Sequence, residues 1–399
     1  MDIRIVKNSQ GLQSKNIHKT YFLQTKEEDS EYNNIKRVNY YLYDLEKNES
    51  VEIEPAIKKY NLITVKDIKF QSKFVYFSTF KKTNDGNILI IVYRYHIHKK
   101  QSVVVYQFEE KFEKYTDYMR TRIFAVNEYY LFIQNEYLRA NLTENYEDYF
   151  DFDLSMYSIN EDKHYKVNDE NLNRYGIIDF EPITSNICVL KQGFNLLKDN
   201  RYKILEKDEI ANESVSFINI GQMVSDVLIG KQNLVMDTIE NVSYTVTIPY
   251  VKVEDGYVIY SKVKLDKNLE EEIVFYNFPK KEAFMCINES ASEEKITSRT
   301  CIIDNSPYII LQKQNGYEFI NISEKKKDIV IDNASKIEYI KDSIMIVSTR
   351  TKGLFGKEKS YIMVYKIPDM KMLHREKGRF VACTLLPGEK LYIMTNREK

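Results

Sequence analysis

Between residues 68 and 108 the chain alternates four runs of Ile, Val, Tyr and Phe with three polar breaks. The runs cover residues 68–70, 74–80, 88–95 and 103–108. The breaks are Gln71-Ser72-Lys73, Asn84-Asp85-Gly86 and His98-Lys99-Lys100-Gln101. β-Branched and aromatic residues suit a pleated surface, and Asn, Asp and Gly tolerate the positive φ that a hairpin requires. The pattern predicts one four-stranded antiparallel sheet.

The opening signature of that sheet is a short apolar run, a polar break and a stronger apolar run. It occurs seven times, with breaks at Gln71, Asn127, Ile183, Glu254, Asp304, Lys341 and Pro387. The intervals are 56, 56, 71, 50, 37 and 46 residues, which surround the ~40–50-residue period of propeller blades. Two further strands follow several copies, at residues 272–276 and 283–287, 317–322 and 329–331, and 361–367 and 370–374. The last copy stops after two strands. Residues 38–45 and 51–53 read as its missing third and fourth strands, so that the two ends of the chain complete one sheet and leave no open edge. Residues 20–24 do not fit that scheme, residues 1–19 read as an N-terminal extension, and residues 195–242 read as an irregular insertion or an extra blade. With seven prolines and twelve glycines there is no linker-like stretch, so 1–399 reads as a single domain.

Over roughly residues 20–394 this repeat resembles the β-propeller superfold. The expected fold is all-β with seven blades, six and eight being the neighbouring counts, and the last blade closed by N-terminal strands. The chain has no Trp, so no WD dipeptide, and it lacks double glycines of kelch type and Asp-box motifs. The resemblance therefore implies geometry alone. It places the loops between second and third strands on one face with the connections between blades.

Composition narrows the function classes. At 399 residues the chain exceeds the ~250–300 residues at which single cores stop growing. Its 43% hydrophobic and 29% charged residues are those of a folded protein. The 32 Tyr and 20 Phe favour many half-exposed strands. With 58 cations against 59 anions there is no global field for nucleic acid or an acidic membrane, and neither is expected as a partner. Four scattered cysteines without a C-x-x-C pair read as buried reduced thiols. The N-terminus lacks a signal-peptide h-region, and no run approaches the ~18 apolar residues of a membrane span. A cytoplasmic monomer is expected.

Candidate chemistry is sparse. His96 and His98 stand two apart at a strand end, as one metal would need, but no further His accompanies them; they read as solvent-facing residues beside a basic turn. Residues 144–153 form an acidic, aromatic run carrying Glu144, Glu147, Asp148 and Asp151, suited to a basic partner. Residues 349–359 set Arg350, Lys352, Lys357 and Lys359 around Leu354-Phe355 between two glycines. That arrangement suits an apolar anchor with cations steering approach. Lys325-Lys326-Lys327 reads as a hairpin turn. Nucleophile-elbow, zinc-protease, phosphate-loop and dinucleotide signatures are absent, and no cofactor or metal is expected. The reading is a non-enzymatic protein-interaction module working through these loops. The alternative is an enzyme or small-ligand binder with its site in the central channel.

Overall fold

The computed structural model describes residues 1–8, 13–28, 37–53, 64–71, 74–82, 85, 87–110, 115–139, 150–193, 213–242, 245–264, 270–288, 300–313, 316–332, 336–352 and 358–396. Strand β1 (Asp2–Lys7) comes first. Blade I is β2 (Gln13–His18), β3 (Tyr21–Glu28), β4 (Arg37–Asp44) and β5 (Glu49–Glu52). Blade II is β6 (Thr64–Gln71), β7 (Phe74–Lys82), β8 (Ile88–His96) and β9 (Gln101–Glu110). Blade III is β10 (Tyr115–Ala125), β11 (Tyr130–Arg139), β12 (Phe150–Ser158) and β13 (Lys163–Lys166). Helix α1 (Glu170–Tyr175) leads into blade IV: β14 (Ile177–Pro182), β15 (Ile187–Gln192), β16 (Glu213–Asn219), helix α2 (Ile220–Leu228) and β17 (Asp237–Val242). Blade V is β18 (Val246–Glu254), β19 (Tyr257–Lys264), β20 (Glu271–Asn277) and β21 (Glu282–Asn288). Blade VI is β22 (Thr300–Ile303), β23 (Ser306–Lys313), β24 (Gly316–Asn321) and β25 (Lys326–Asp332). Blade VII is β26 (Lys336–Lys341), β27 (Ile344–Lys352), β28 (Glu358–Lys366) and β29 (Lys371–Lys377). Blade VIII is β30 (Arg379–Leu386) and β31 (Lys390–Asn396), joined by β1.

The chain is thus a β-propeller of eight blades. Blades I to VII are antiparallel meanders, and in blade VIII β1 pairs parallel to β31. Two compact units are formed. Met1–Lys58 with Thr297–Lys399 holds blades I, VI, VII and VIII; Lys59–Ile296 holds blades II to V. Each core lies between neighbouring sheets. Phe319, Ile329, Met345 and Val347 bury between blades VI and VII, and Tyr76, Val92, Ile133 and Tyr157 between blades II and III.

The count corrects the expected seven. All seven predicted breaks fall between the first and second strands of a blade, but blade I lacks the signature because Gln13–His18 carries one aliphatic residue, Ile17. Residues 38–44 and 51–52 of those runs therefore lie in β4 and β5 of blade I, residues 21–24 begin β3, and the last blade is closed instead by Asp2–Lys7. Residues 1–19 contain β1 and β2, and residues 213–242 form the second half of blade IV with α2 inside it. Residues 72–73, 84 and 86 of the breaks read in blade II lie outside the described residues.

The hairpins between third and fourth strands repeat one design. Six of them close on a left-handed residue: Asn48, Lys100, Asp162, Lys281, Lys325 and Met370, all with φ between 52 and 55. Five open on an acceptor at the last residue of the third strand. Asp44 accepts from Lys47 N–H (3.3 Å), His96 Nδ1 from Lys99 N–H (3.3 Å), Ser158 from Glu161 N–H (3.4 Å), Asn277 from Lys280 N–H (3.1 Å) and Asn321 from Glu324 N–H (3.1 Å). Lys325, the first of the lysine run, closes the blade VI hairpin as a turn residue.

Candidate functional site

Blade IV departs from this design. Its third strand ends on Asn219, whose side chain accepts from Gln222 N–H (3.0 Å), as in the other blades. Here the acceptor caps a helix. Ile220, Met223 and Val227 recur at helical spacing and bury against Leu172, Leu190 and Ile218. The helix ends on a left-handed Gly230 (φ 69). Gly230 N–H donates to Val227 O (3.0 Å) and Lys231 N–H to Asp226 O (2.9 Å), the paired bonds of a Schellman termination. Where that motif usually carries an apolar contact, Lys231 Nζ meets buried Asp226 Oδ2 at 3.0 Å. The hydrogen-bonded Lys231 ammonium holds the Asp226 carboxyl below its usual range, and Gln222 Nε2 donates to its other oxygen at 2.7 Å.

The segment after the helix is clamped to the connection from blade III. Asn233 N–H donates to Asn168 O (3.0 Å), and Asn168 Nδ2 donates to Gly230 O (3.4 Å). Asp169 is 2% exposed. One of its carboxylate oxygens accepts from Leu172 N–H (2.9 Å), capping α1; the other accepts from Leu234 N–H (2.7 Å). Leu234 is thereby held in the core, and its neighbour Val235 is turned outward. Val235 is 61% exposed, Ile229 74% and Leu228 38%. Three aliphatic side chains thus face solvent on a backbone fixed by two buried carboxylates.

At the other end of blade IV, Lys191 is fully buried and pairs with Glu213 at 3.2 Å. Glu213 also accepts from Thr247 Oγ1 and from Ile248 N–H (2.9 Å) of β18. Burial pushes the Glu213 carboxyl above its usual range, against the pull of Lys191. Gly193 (φ 98) permits the close approach: a Cβ there would lie 2.8 Å from Glu213 Cα. This pair ties two blades together, as Arg122 does between blades III and IV through Glu136 (2.9 Å) and Ile178 O (2.7 Å).

The residues predicted from sequence fall in both units. Arg350 and Lys359 are exposed on the β27–β28 hairpin, one on each strand. Lys352 lies opposite Glu358 in the same ladder. Leu354, Phe355 and Lys357 lie outside the described residues, as do Glu144, Glu147 and Asp148; Asp151 pairs with Tyr137 in blade III. The hairpin brings Arg350, Lys352 and Lys359 together in the first unit, and Asp151 belongs to the second. His96 and His98 contact edge-on at 6.0 Å between ring centroids, and His96 serves the turn that it opens. Among the described residues no group of His, Cys, Asp and Glu is arranged to hold a metal ion. Cys188 and Cys301 are buried, Cys286 and Cys383 half-buried, and none of the four is in a disulfide; burial pushes the Cys188 thiol up to about 12. No helix among the described residues is long and apolar enough to cross a membrane.

Sequence reasoning missed Leu228, Ile229 and Val235. The available signal was Asn219 followed by Ile220, Met223 and Val227, which leaves Ile229 off the apolar stripe.

No protein-family model matches the chain, and no curated protein sequence does. Among solved structures it is similar to a prolyl endopeptidase, at 10% identity and a TM-score of 0.46, over 88% of this chain and 45% of that one. It is similar to an uncharacterised protein of Listeria monocytogenes EGD-e, at 9% identity and a TM-score of 0.42, over 94% and 97% of the two chains. It is also similar to the tricorn protease, at 10% identity and a TM-score of 0.36, over 94% and 45%. The chain spans less than half the length of the two peptidases.

Proposed function

We propose that this β-propeller is a non-catalytic interaction module whose working surfaces are departures from the regular blade. One observation carries the reading. In blade IV a four-residue hairpin gives way to a helix and a clamped segment that keeps Leu228, Ile229 and Val235 in water. Fixing apolar side chains in solvent gives the free protein no hydrophobic stabilisation. Burying them against a partner contributes about 1.5–3 kcal/mol per aliphatic side chain, and the fixed backbone lowers the ordering cost of binding. The basic hairpin with Arg350, Lys352, Leu354, Phe355, Lys357 and Lys359, and the acidic segment with Glu144, Glu147, Asp148 and Asp151, are further contact surfaces in this reading. Four cysteines without a disulfide fit a reducing compartment such as the cytoplasm.

Affinity capture from the native host tests it, with wild type, the pair Ile229→Glu and Val235→Glu, and the pair Leu354→Ser and Phe355→Ser. The expected result is loss of a specific captured protein with an unchanged thermal midpoint. Capture profiles identical to wild type for both pairs would overturn the assignment.

A further inference from the structure

Blade VIII is the only sheet with three strands among the described residues; the other seven have four. Its outermost strand is β1. The register Asp2↔Lys390 through Lys7↔Thr395, with Asp2 N–H donating to Glu389 O and Asn8 N–H to Thr395 O, sets the parity of the ladder. The even residues bond to β31, so the backbone N–H and C=O groups of Ile3, Ile5 and Lys7 point away from the sheet.

The side chains agree. In the four-stranded blades the third strand is covered on both edges, and its centre is fully buried: Val92, Met156, Phe275, Phe319, Ile362 and Val364. In the same position of blade VIII, Ile3, Ile5 and Val6 are only half-buried. The neighbours on both sides, blade VII with β29 and blade I with β5, each carry a fourth strand. The Lys7–Glu376 ion pair (2.5 Å) sets β29 beside β1, and blade I packs on the other side through Val6. Among the described residues the edge of β1 is therefore open and set back by one strand, about 4.8 Å. A single extended segment fits such a recess; the edge of a second copy, set back behind its own neighbours, does not reach it.

Charge defines what fits. Cations concentrate on one wall: β1 and β29 carry Arg4, Lys7, Lys371, Arg375 and Lys377 against Asp2 and Glu376, whereas β5 on the other side carries Glu49 and Glu52. At the Lys7 end the β27–β28 hairpin adds Arg350 and Lys359, because Tyr361 pairs with Lys377 there. We propose that β1 is the acceptor edge for an extended segment of a partner protein, alternating apolar with acidic residues, which pairs antiparallel with Ile3, Ile5 and Lys7 and supplies the fourth strand of blade VIII. Main-chain hydrogen bonds give such strand addition its affinity, and alternate side chains give its specificity. The proposal concerns a different blade from the patch on blade IV, and either can fail alone.

The test uses the full chain and a displayed library of octapeptides that alternate Val, Ile or Phe with Asp, Glu, Ser or Thr. Enriched peptides are expected to carry Asp or Glu and to bind at least tenfold more tightly than their Lys-substituted counterparts. Methylation of alternate peptide amides should abolish binding. Amide exchange at Ile3, Ile5 and Lys7 should be fast in the free protein and slowed by the peptide, with Arg4 and Val6 slow in both. Ile5→Pro removes one outward N–H without touching the β31 ladder and should weaken binding at least tenfold; the exchange readout covers the case in which that variant fails to fold. Absence of any enriched binder, binding without protection of those three amides, or their protection in the dilute free protein would overturn the proposal. Protection that appears only with self-association in sedimentation would also overturn it, by assigning the edge to a second copy.

Discussion

Blades IV and VI start the same chain reversal and finish it differently. Asn321 at the end of β24 and Asn219 at the end of β16 each accept a backbone N–H three residues on, at 3.1 and 3.0 Å. In blade VI the residue one step further, Lys325, turns left-handed and the chain returns at once. In blade IV that position is Met223, which stays helical because its side chain is buried in the core. The capping chemistry is neutral between hairpin and helix; Met370 at the same position of blade VII turns left-handed, and what sets blade IV apart is the buried stripe of Ile220, Met223 and Val227. The hairpin demands nothing more, whereas the helix requires Asp226, Lys231 and Asp169 to satisfy what it exposes.

Four substitutions sharpen this contrast. Asp169→Ala removes two hydrogen bonds from a buried carboxylate, one capping α1 and one anchoring Leu234. It should destabilise the chain by about 3 kcal/mol, read from urea unfolding, with faster exchange at the Leu172 and Leu234 amides. Equal losses at all amides would show that the clamp is not a local device. Next, Asn219→Ala and Asn321→Ala should each cost about 1 kcal/mol, because the two acceptors do the same work; costs differing more than twofold would break the parallel between hairpin and helix. The smallest effect is a gain. Lys325→Gly relieves a left-handed backbone at φ 52 and should stabilise by about 0.5–1 kcal/mol, seen as a raised thermal midpoint.

Strand rhythm was legible where water and core alternate along it. The seven breaks from Gln71 to Pro387 all fall at the junction of a first and a second strand, because first and second strands of those blades carry enough β-branched and aromatic residues to be seen. Blade I was hidden because β2 is polar and β3 confines its apolar residues to Tyr21, Phe22 and Leu23. β1 was hidden for another reason: Ile3, Ile5 and Val6 look like any short strand, and its pairing with residues nearly four hundred positions away leaves no local trace. Helix α2 covers nine residues, fewer than a window in which a 3.6-residue period stands out. The candidate site was illegible in kind. Nothing in the local pattern marks Ile229 and Val235 as exposed, and their exposure is set by hydrogen bonds that Asn168 and Asp169, about sixty residues earlier, accept from Asn233 and Leu234.

The β1–β31 pairing also orders events during synthesis. The unit formed by residues 59–296 is continuous in sequence, so all its contacts are available as soon as its last strand leaves the ribosome. The other unit is split, and its first 58 residues wait while about 240 more are made, roughly ten to fifty seconds at ordinary elongation rates. Through that interval Phe22, Leu42, Tyr43 and Leu45, all buried in the finished fold, have only blade I to cover them. β1, made nearly four hundred residues before its partner β31, is therefore among the last strands to find its place.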